Sequence, residues 1–326
     1  MRRRDFVTAA ALVGAATVAD SQTTSAPPSK GRLKQCVTSF PFDPKMQFED
    51  RCREAARLGC VGYDLVASKD WPTLKKYGLI STMAPMVGVT MEDGIIHKEA
   101  HEKSHAAFGA AIDEVAAAGY PNIIIVGGQR RGMSNAEGAD NAVTFLNSIK
   151  SRAEDKGVTI CMEVMNSKLQ DPTLGRKDQI CDHLAWGVDV IQRVNSPRVK
   201  ILCDIYHLQI MDGDVCRNIQ QNFQWIGHFH TGGVPGRHEI DDTQELNYRF
   251  IAKTIARPRN AASATRISSG STVRAAGASP MRRRWRRRSS PPGRAAARVA
   301  SSSAPAGSRC CSSTRPWSMR CMSTAL

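Results

Sequence analysis

Residues 199–239 read VKILCDIYHLQIMDGDVCRNIQQNFQWIGHFHTGGVPGRHE, and this stretch decides the fold. It scans as strand, helix, strand. Val199–Cys203 is a β-rich apolar run that stops at Asp204, with His207 three residues on. Ile226–Phe229 is a second short run, stopping at His230 and followed by a Gly-Gly-Val-Pro-Gly turn and Arg237-His238-Glu239. In parallel α/β proteins ligands gather at the carboxyl ends of strands. Alone, an Asp or a His in such a place is ordinarily a helix cap or a hydrogen-bonded core residue. Two successive strands with the same polar ending point to a divalent-cation site, because carboxylate and imidazole are both metal donors.

Outward from this stretch the chain alternates regularly. Strands are expected at residues 35–42, 61–66, 79–86, 122–126, 158–162, 199–203 and 226–229. Helices are expected at 48–58, 71–77, 95–118, 136–155, 183–194, 214–225 and 245–256. Gly59, Gly78, Gly119 and Gly157 stand where the first four helices after their strands should stop. The run Asn122-Ile123-Ile124-Ile125-Val126 is apolar enough to require burial on both faces. Seven βα units predict an α/β fold, a (β/α)8 TIM barrel lacking a recognisable eighth βα unit. No GxGxxG follows the first strand, which argues against a dinucleotide-binding fold.

The ends differ from the middle. Residues 1–25 open with Arg2-Arg3-Arg4-Asp5-Phe6 and run into a short Ala-rich apolar segment, a twin-arginine-type export signal too short to span a bilayer stably. This predicts a periplasmic location, or a cytoplasmic one if the segment is not used. Residues 26–32 are a linker, and 33–256 form the barrel domain. From Arg257 the composition changes: residues 257–326 hold 15 Arg, 15 Ser and 13 Ala and no Lys, Asp or Glu. The overall charge of +15 therefore belongs to this tail, and residues 1–256 balance 30 basic against 30 acidic side chains. A neutral domain carries no nucleic-acid footprint. The tail reads as disordered, and its abrupt onset where strand eight is due reads as out-of-frame translation. Seven of the ten cysteines precede residue 257, scattered and without CxxC spacing, and are expected to be small buried hydrophobes.

The strand ends supply Glu163 on strand five, Asp204 on six and His230 on seven. Consecutive barrel strands place these around one rim, where they suit Mn²⁺, Mg²⁺, Co²⁺ or Zn²⁺. His207, Arg237, Lys168 and His238 are placed to bind a polyol or an oxyanion.

Met162-Glu163-Val164-Met165-Asn166, Cys203-Asp204-Ile205-Tyr206-His207 and His228-Phe229-His230 through Val234-Pro235-Gly236-Arg237-His238-Glu239 resemble the xylose isomerase-like TIM barrels. That family includes hydroxypyruvate isomerases, sugar 3-epimerases and inosose-handling proteins. The last stretch is most similar to hydroxypyruvate isomerase, whose usual Gln is here His230, as in the sugar epimerases. The resemblance implies metal ligation by Glu163, Asp204 and His230, with Glu163 also the base. It implies substrate binding by His207 and Arg237, and proton transfer through an enediolate in a small sugar or hydroxy-keto acid. It also calls for a second Glu at the end of strand eight, which residues 257–326 lack. Weak metal binding, low turnover and a barrel open at one side are expected to follow. The competing expectations are a catalytically silent sugar-binding barrel and an endonuclease IV-like nuclease, and an oligomer is compatible with either.

Overall fold

A computed structural model describes residues 33–169, 178–256 and 322–325. These lie within one compact unit, residues 1–256 with 319–326. The signal segment and linker fall outside the described residues, as does the tail up to residue 321. The expectations of export, disorder and a frame change lie with them.

The strands are β1 Lys34–Val37, β2 Gly62–Asp64, β3 Ile80–Met83, β4 Asn122–Ile125, β5 Thr159–Glu163, β6 Val199–Asp204, β7 Ile226–His230 and β8 Met322–Ala325. They form one sheet in the order β3-β2-β1-β8-β7-β6-β5-β4. A parallel bridge between Ala84 and Ile123 joins the two ends, so the sheet closes. The helices are α1 Phe48–Arg57, α2 Trp71–Lys76, α3 His101–Ala117, α4 Asn135–Lys156, α5 Leu184–Val194, α6 Ile205–Met211, α7 Val215–Asn222 and α8 Tyr248–Ala256. The expected TIM barrel is present.

The structure differs from the sequence reading in three places. The barrel is not open: β8 fills the gap between β7 and β1, running antiparallel to both. Among the described residues it is a strand without a helix of its own. The long helix expected from Ile95 starts at His101, after a short 3-10 turn over Lys98–Ala100. A helix that the reading omitted, α6, begins directly after β6. Its cause is Asp204, whose Oδ1 accepts from the backbone N–H of Tyr206 (2.9 Å) and His207 (3.4 Å) and so caps the new helix.

Local chemistry sets the other boundaries. Ser134 caps α4 by accepting from the Glu137 N–H, the arrangement that an S-x-x-E sequence predicts. Gly157 ends the same helix in a left-handed conformation (φ +70°) that suits glycine.

Strand alternation then divides the side chains into two sets. Val37, Tyr63, Ile123, Ile125, Ile160, Met162, Ile201, Cys203 and Phe229 pack in the main core with the helices. Their neighbours point the other way, into the barrel. Met83, Ile124, Cys161 and Leu202 form a separate apolar cluster there. Six of the seven described cysteines are buried and all seven are free thiols, as expected.

Candidate functional site

The inward set changes character at the carboxyl ends of β5, β6 and β7. Alternation that puts Cys161 inside also puts Glu163 inside, two residues nearer the rim, and Leu202 is followed in the same way by Asp204. On β7 the alternation gives His228 and then His230. Glu163 (8% exposed), Asp204 (0%) and His230 (4%) are therefore buried polar groups sharing one rim. His230 Nδ1 is 3.0 Å from Glu163 Oε1 and 3.9 Å from Asp204 Oδ2. One donor atom each from Glu163, Asp204 and His207 lies within 4.8 Å of the others.

His207 reaches the rim because the α6 cap turns the chain inward directly after Asp204. Its Nδ1 is 2.6 Å from Asn166 Nδ2, and its Nε2 accepts from Arg237 Nη1 at 3.0 Å. Arg237 comes from the loop after β7. Gly233 lets that loop fold tightly: a Cβ there would sit 2.4 Å from the Glu239 carbonyl oxygen. Arg237 itself adopts φ +57°, an uncommon conformation for a side chain of its size. Its guanidinium donates to Asp204 Oδ2 and lies 5.2 Å from the Tyr206 ring centroid.

Burial opposes charge on Asp204, but the Arg237 guanidinium, His207 and His230 together hold its carboxyl below the ordinary range. His207 is pushed down by burial, and Asp204 only partly offsets this. For His230, burial acts downward but the Asp64 and Glu163 carboxylates prevail and raise it to about 10.

The structure thus brings together Glu163, Asp204, His230, His207 and Arg237. It does not bring Lys168 or His238 to them. Lys168 is exposed and donates from Nζ to the carbonyls of Ile210 (2.8 Å) and Met211 (3.3 Å), at the C-terminal end of α6. His238 is exposed on the turn, where its carbonyl accepts from the Gly233 N–H.

One residue that the sequence reading passed over is Asp64 at the end of β2. It accepts from Thr82 Oγ1, sits 2.9 Å from His228 Nε2 and lies 3.5 Å from His230 Nε2. The signal was available: Val61–Tyr63 is an apolar run stopping at Asp, as Val199–Cys203 is.

A divalent cation fits the rim group. Glu163, Asp204 and His207 each offer a donor atom within 4.8 Å of the others, and hard oxygen and nitrogen donors are what such ions take. Glu163 and Asp204 would hold it, with His207 or His230 as the imidazole donor.

Seven parallel strands with convergent carboxylates and imidazoles at their carboxyl ends put this group where α/β barrels place their active sites. A family model described as xylose isomerase-like TIM barrel matches residues 72–261, more than half of the chain, and the chain belongs to that family. A protein of Danio rerio described as a hydroxypyruvate isomerase by inference is 36% identical over 115 residues, covering 34% of this chain and 40% of that protein. The 2-oxo-tetronate isomerase of Cupriavidus necator is 30% identical over 126 residues, 37% of this chain and 45% of the relative. The chain thus spans less than half the length of these two relatives. A second 2-oxo-tetronate isomerase, from Pectobacterium atrosepticum, is 26% identical over 244 residues, 71% of this chain and 87% of the relative. Among solved structures, an AP endonuclease of family 2 from Brucella melitensis superposes with TM-score 0.58 at 21% identity, covering 68% of this chain and 86% of that one. A D-psicose 3-epimerase crystallised with D-fructose gives TM-score 0.54 at 18% identity, covering 68% and 79%. These two likenesses concern the fold.

Proposed function

We propose that the chain is a metal-dependent isomerase or epimerase of a small hydroxy-keto acid or sugar, of the hydroxypyruvate isomerase kind. One observation carries the reading: Glu163, Asp204 and His230 meet on one rim with the Arg237 guanidinium beside them. The names of the three sequence relatives described above, hydroxypyruvate or 2-oxo-tetronate isomerases, support the same substrate class.

A divalent cation bound there supplies a Lewis acid for a carbonyl and its neighbouring hydroxyl. Glu163 removes the proton from the carbon next to the carbonyl, giving an enediolate, and returns it to the adjacent carbon. Its burial excludes water that would otherwise exchange that proton. Arg237, held by Asp204 and Tyr206, puts a guanidinium charge beside the rim that suits a substrate carboxylate. His207, fixed between Asn166 and Arg237, holds the Arg237 guanidinium in place at the rim. No acidic residue occurs in the sequence of β8, so one donor fewer is available than the family resemblance implies, and turnover is expected to be low.

The test is a Mn²⁺-dependent isomerisation assay on hydroxypyruvate with the full chain. A chelator should abolish turnover, and Glu163→Gln should lower it by about 10²–10⁴-fold with the fold intact. Sugar or keto-acid binding without any turnover, in wild type and variant alike, would instead favour the catalytically silent barrel. The nuclease reading finds little to build on in the stretch from His97 to His105. His97, His101 and His105 each bond a backbone carbonyl, of Gln129, Ile95 and Ser148 respectively.

A further inference from the structure

Below the rim, the inward faces of the barrel divide into two halves. β3–β6 fill theirs with Met83, Ile124, Cys161 and Leu202. β1, β2 and β7 instead place Cys36, Asp64 and His228 inside, each no more than 1% exposed. Cys36 Sγ lies 3.6 Å from Asp64 Oδ2 and 4.0 Å from His228 Nε2, and the last two atoms are 2.9 Å apart. For a triangle with those sides, the point equidistant from all three atoms lies about 2.1 Å from each. Zinc bonds nitrogen and oxygen at roughly that length and sulfur at about 2.3 Å.

Two further features point to a ligand. The second oxygen of Asp64 accepts from Thr82 Oγ1, the kind of outer hydrogen bond that fixes a ligating carboxylate. His230 Nε2 is buried, lies 3.5 Å from Asp64 Oδ2 and is left without a hydrogen bond among the described residues. Asp64 is a fully buried carboxylate whose neighbours among the described residues include the imidazoles of His228 and His230. A buried charge needs compensation of that kind or stronger.

We propose that Cys36, Asp64 and His228 form an interior site for a zinc-class divalent cation, separate from the rim group of Glu163, Asp204 and His230. The thiol selects against Mg²⁺ and Mn²⁺, which prefer oxygen, and favours Zn²⁺ or Co²⁺. Binding releases the Cys36 proton to solvent, since only the thiolate ligates. The position of the site also gives it a role. Cys36 and His228 stand on β1 and β7, the strands that flank antiparallel β8, so an ion between them ties the two sides of the seam together.

The test is titration of the chelator-stripped full chain with Co²⁺. Two equivalents are expected, one accompanied by a near-ultraviolet sulfur-to-cobalt charge-transfer band. Cys36→Ser should lose the band and that equivalent while keeping the other, and Glu163→Gln should show the opposite pattern. Binding without the band in the wild type, or a band that persists in Cys36→Ser, overturns the inner site whatever the rim does. A band without a second, band-free equivalent leaves the inner site standing and counts against the rim reading. Should Cys36→Ser fail to fold, X-ray absorption on the zinc-loaded wild type decides the matter. A sulfur scatterer at about 2.3 Å supports the site, and a nitrogen and oxygen shell alone overturns it.

Discussion

The two halves of the barrel interior obey one geometric rule and contain opposite chemistry. On β3–β6 the inward residues below the rim are Met83, Ile124, Cys161 and Leu202, held by packing alone. On β7, β1 and β2 they are His228, Cys36 and Asp64, equally buried but held by directed polar contacts. Burial by itself therefore does not identify a core residue in this protein. The apolar half tolerates removal of water because nothing in it needs water. The polar half tolerates it only while each charge keeps its partner.

The comparison is broken most severely from the polar side. Asp64→Leu leaves His228 and Thr82 facing an apolar side chain and is expected to destabilise the chelator-stripped protein by about 3–5 kcal/mol. Adding His228→Leu should recover part of that loss, because both members of the buried pair are then gone. Urea unfolding of the single and double variants measures this, and no recovery in the double variant would show that the pair is not the source of the cost. On the apolar side, Leu202→Ala should cost about 2–5 kcal/mol through the cavity it opens, and should leave the number of bound cations unchanged.

A smaller effect concerns pH. The folded value of His230, about 10, lies above the ~6.5 of an exposed imidazole. Its stabilising contribution is therefore fully present below about pH 6.5 and is lost as pH rises through about 10. The melting temperature of the stripped protein should fall between about pH 6.5 and 8, before thiols and phenols titrate. His230→Gln should make that fall shallower, as should saturating Mn²⁺, which holds the imidazole without its proton. The smallest effect falls outside both halves. Lys168→Met removes a side chain that bonds the last carbonyls of α6, so it should cost about 1 kcal/mol or less and leave substrate affinity unchanged. A large rise in KM for that variant would return Lys168 to the substrate site.

Much of this architecture is written locally. Gly157 ends a helix wherever it is placed, and Ser134 with Glu137 starts one. The runs that stop at Glu163, Asp204 and His230 declare their polar ends in the sequence. Hydrophobic period and capping act over a few residues, which is why seven βα units and three of the rim groups were legible without coordinates.

The remainder depended on which strands become neighbours. Cys36 and His228 are separated by 192 residues, and only closure of the sheet puts them 4.0 Å apart. Asp64 has the same local signature as Asp204, but its partners come from β7, across the seam. Arg237 was placed at the substrate by its motif, yet its bonds to Asp204 and His207 needed the turn that Gly233 permits. Lys168 was drawn away from the rim by α6, a helix only one cap long in its cause and invisible to periodicity. The eighth strand was missed because Met322–Ala325, which occupies its place, stands 66 residues beyond Ala256 in a stretch without apolar alternation. Met322–Ala325 takes the place from the other direction, since an unpaired strand edge accepts antiparallel partners as readily as parallel ones. The sequence by itself determined the strands, the helices and the polar strand ends, because those follow from short-range sterics and alternation. Tertiary structure alone decided which buried polar groups share a site, because that follows from closure of the barrel.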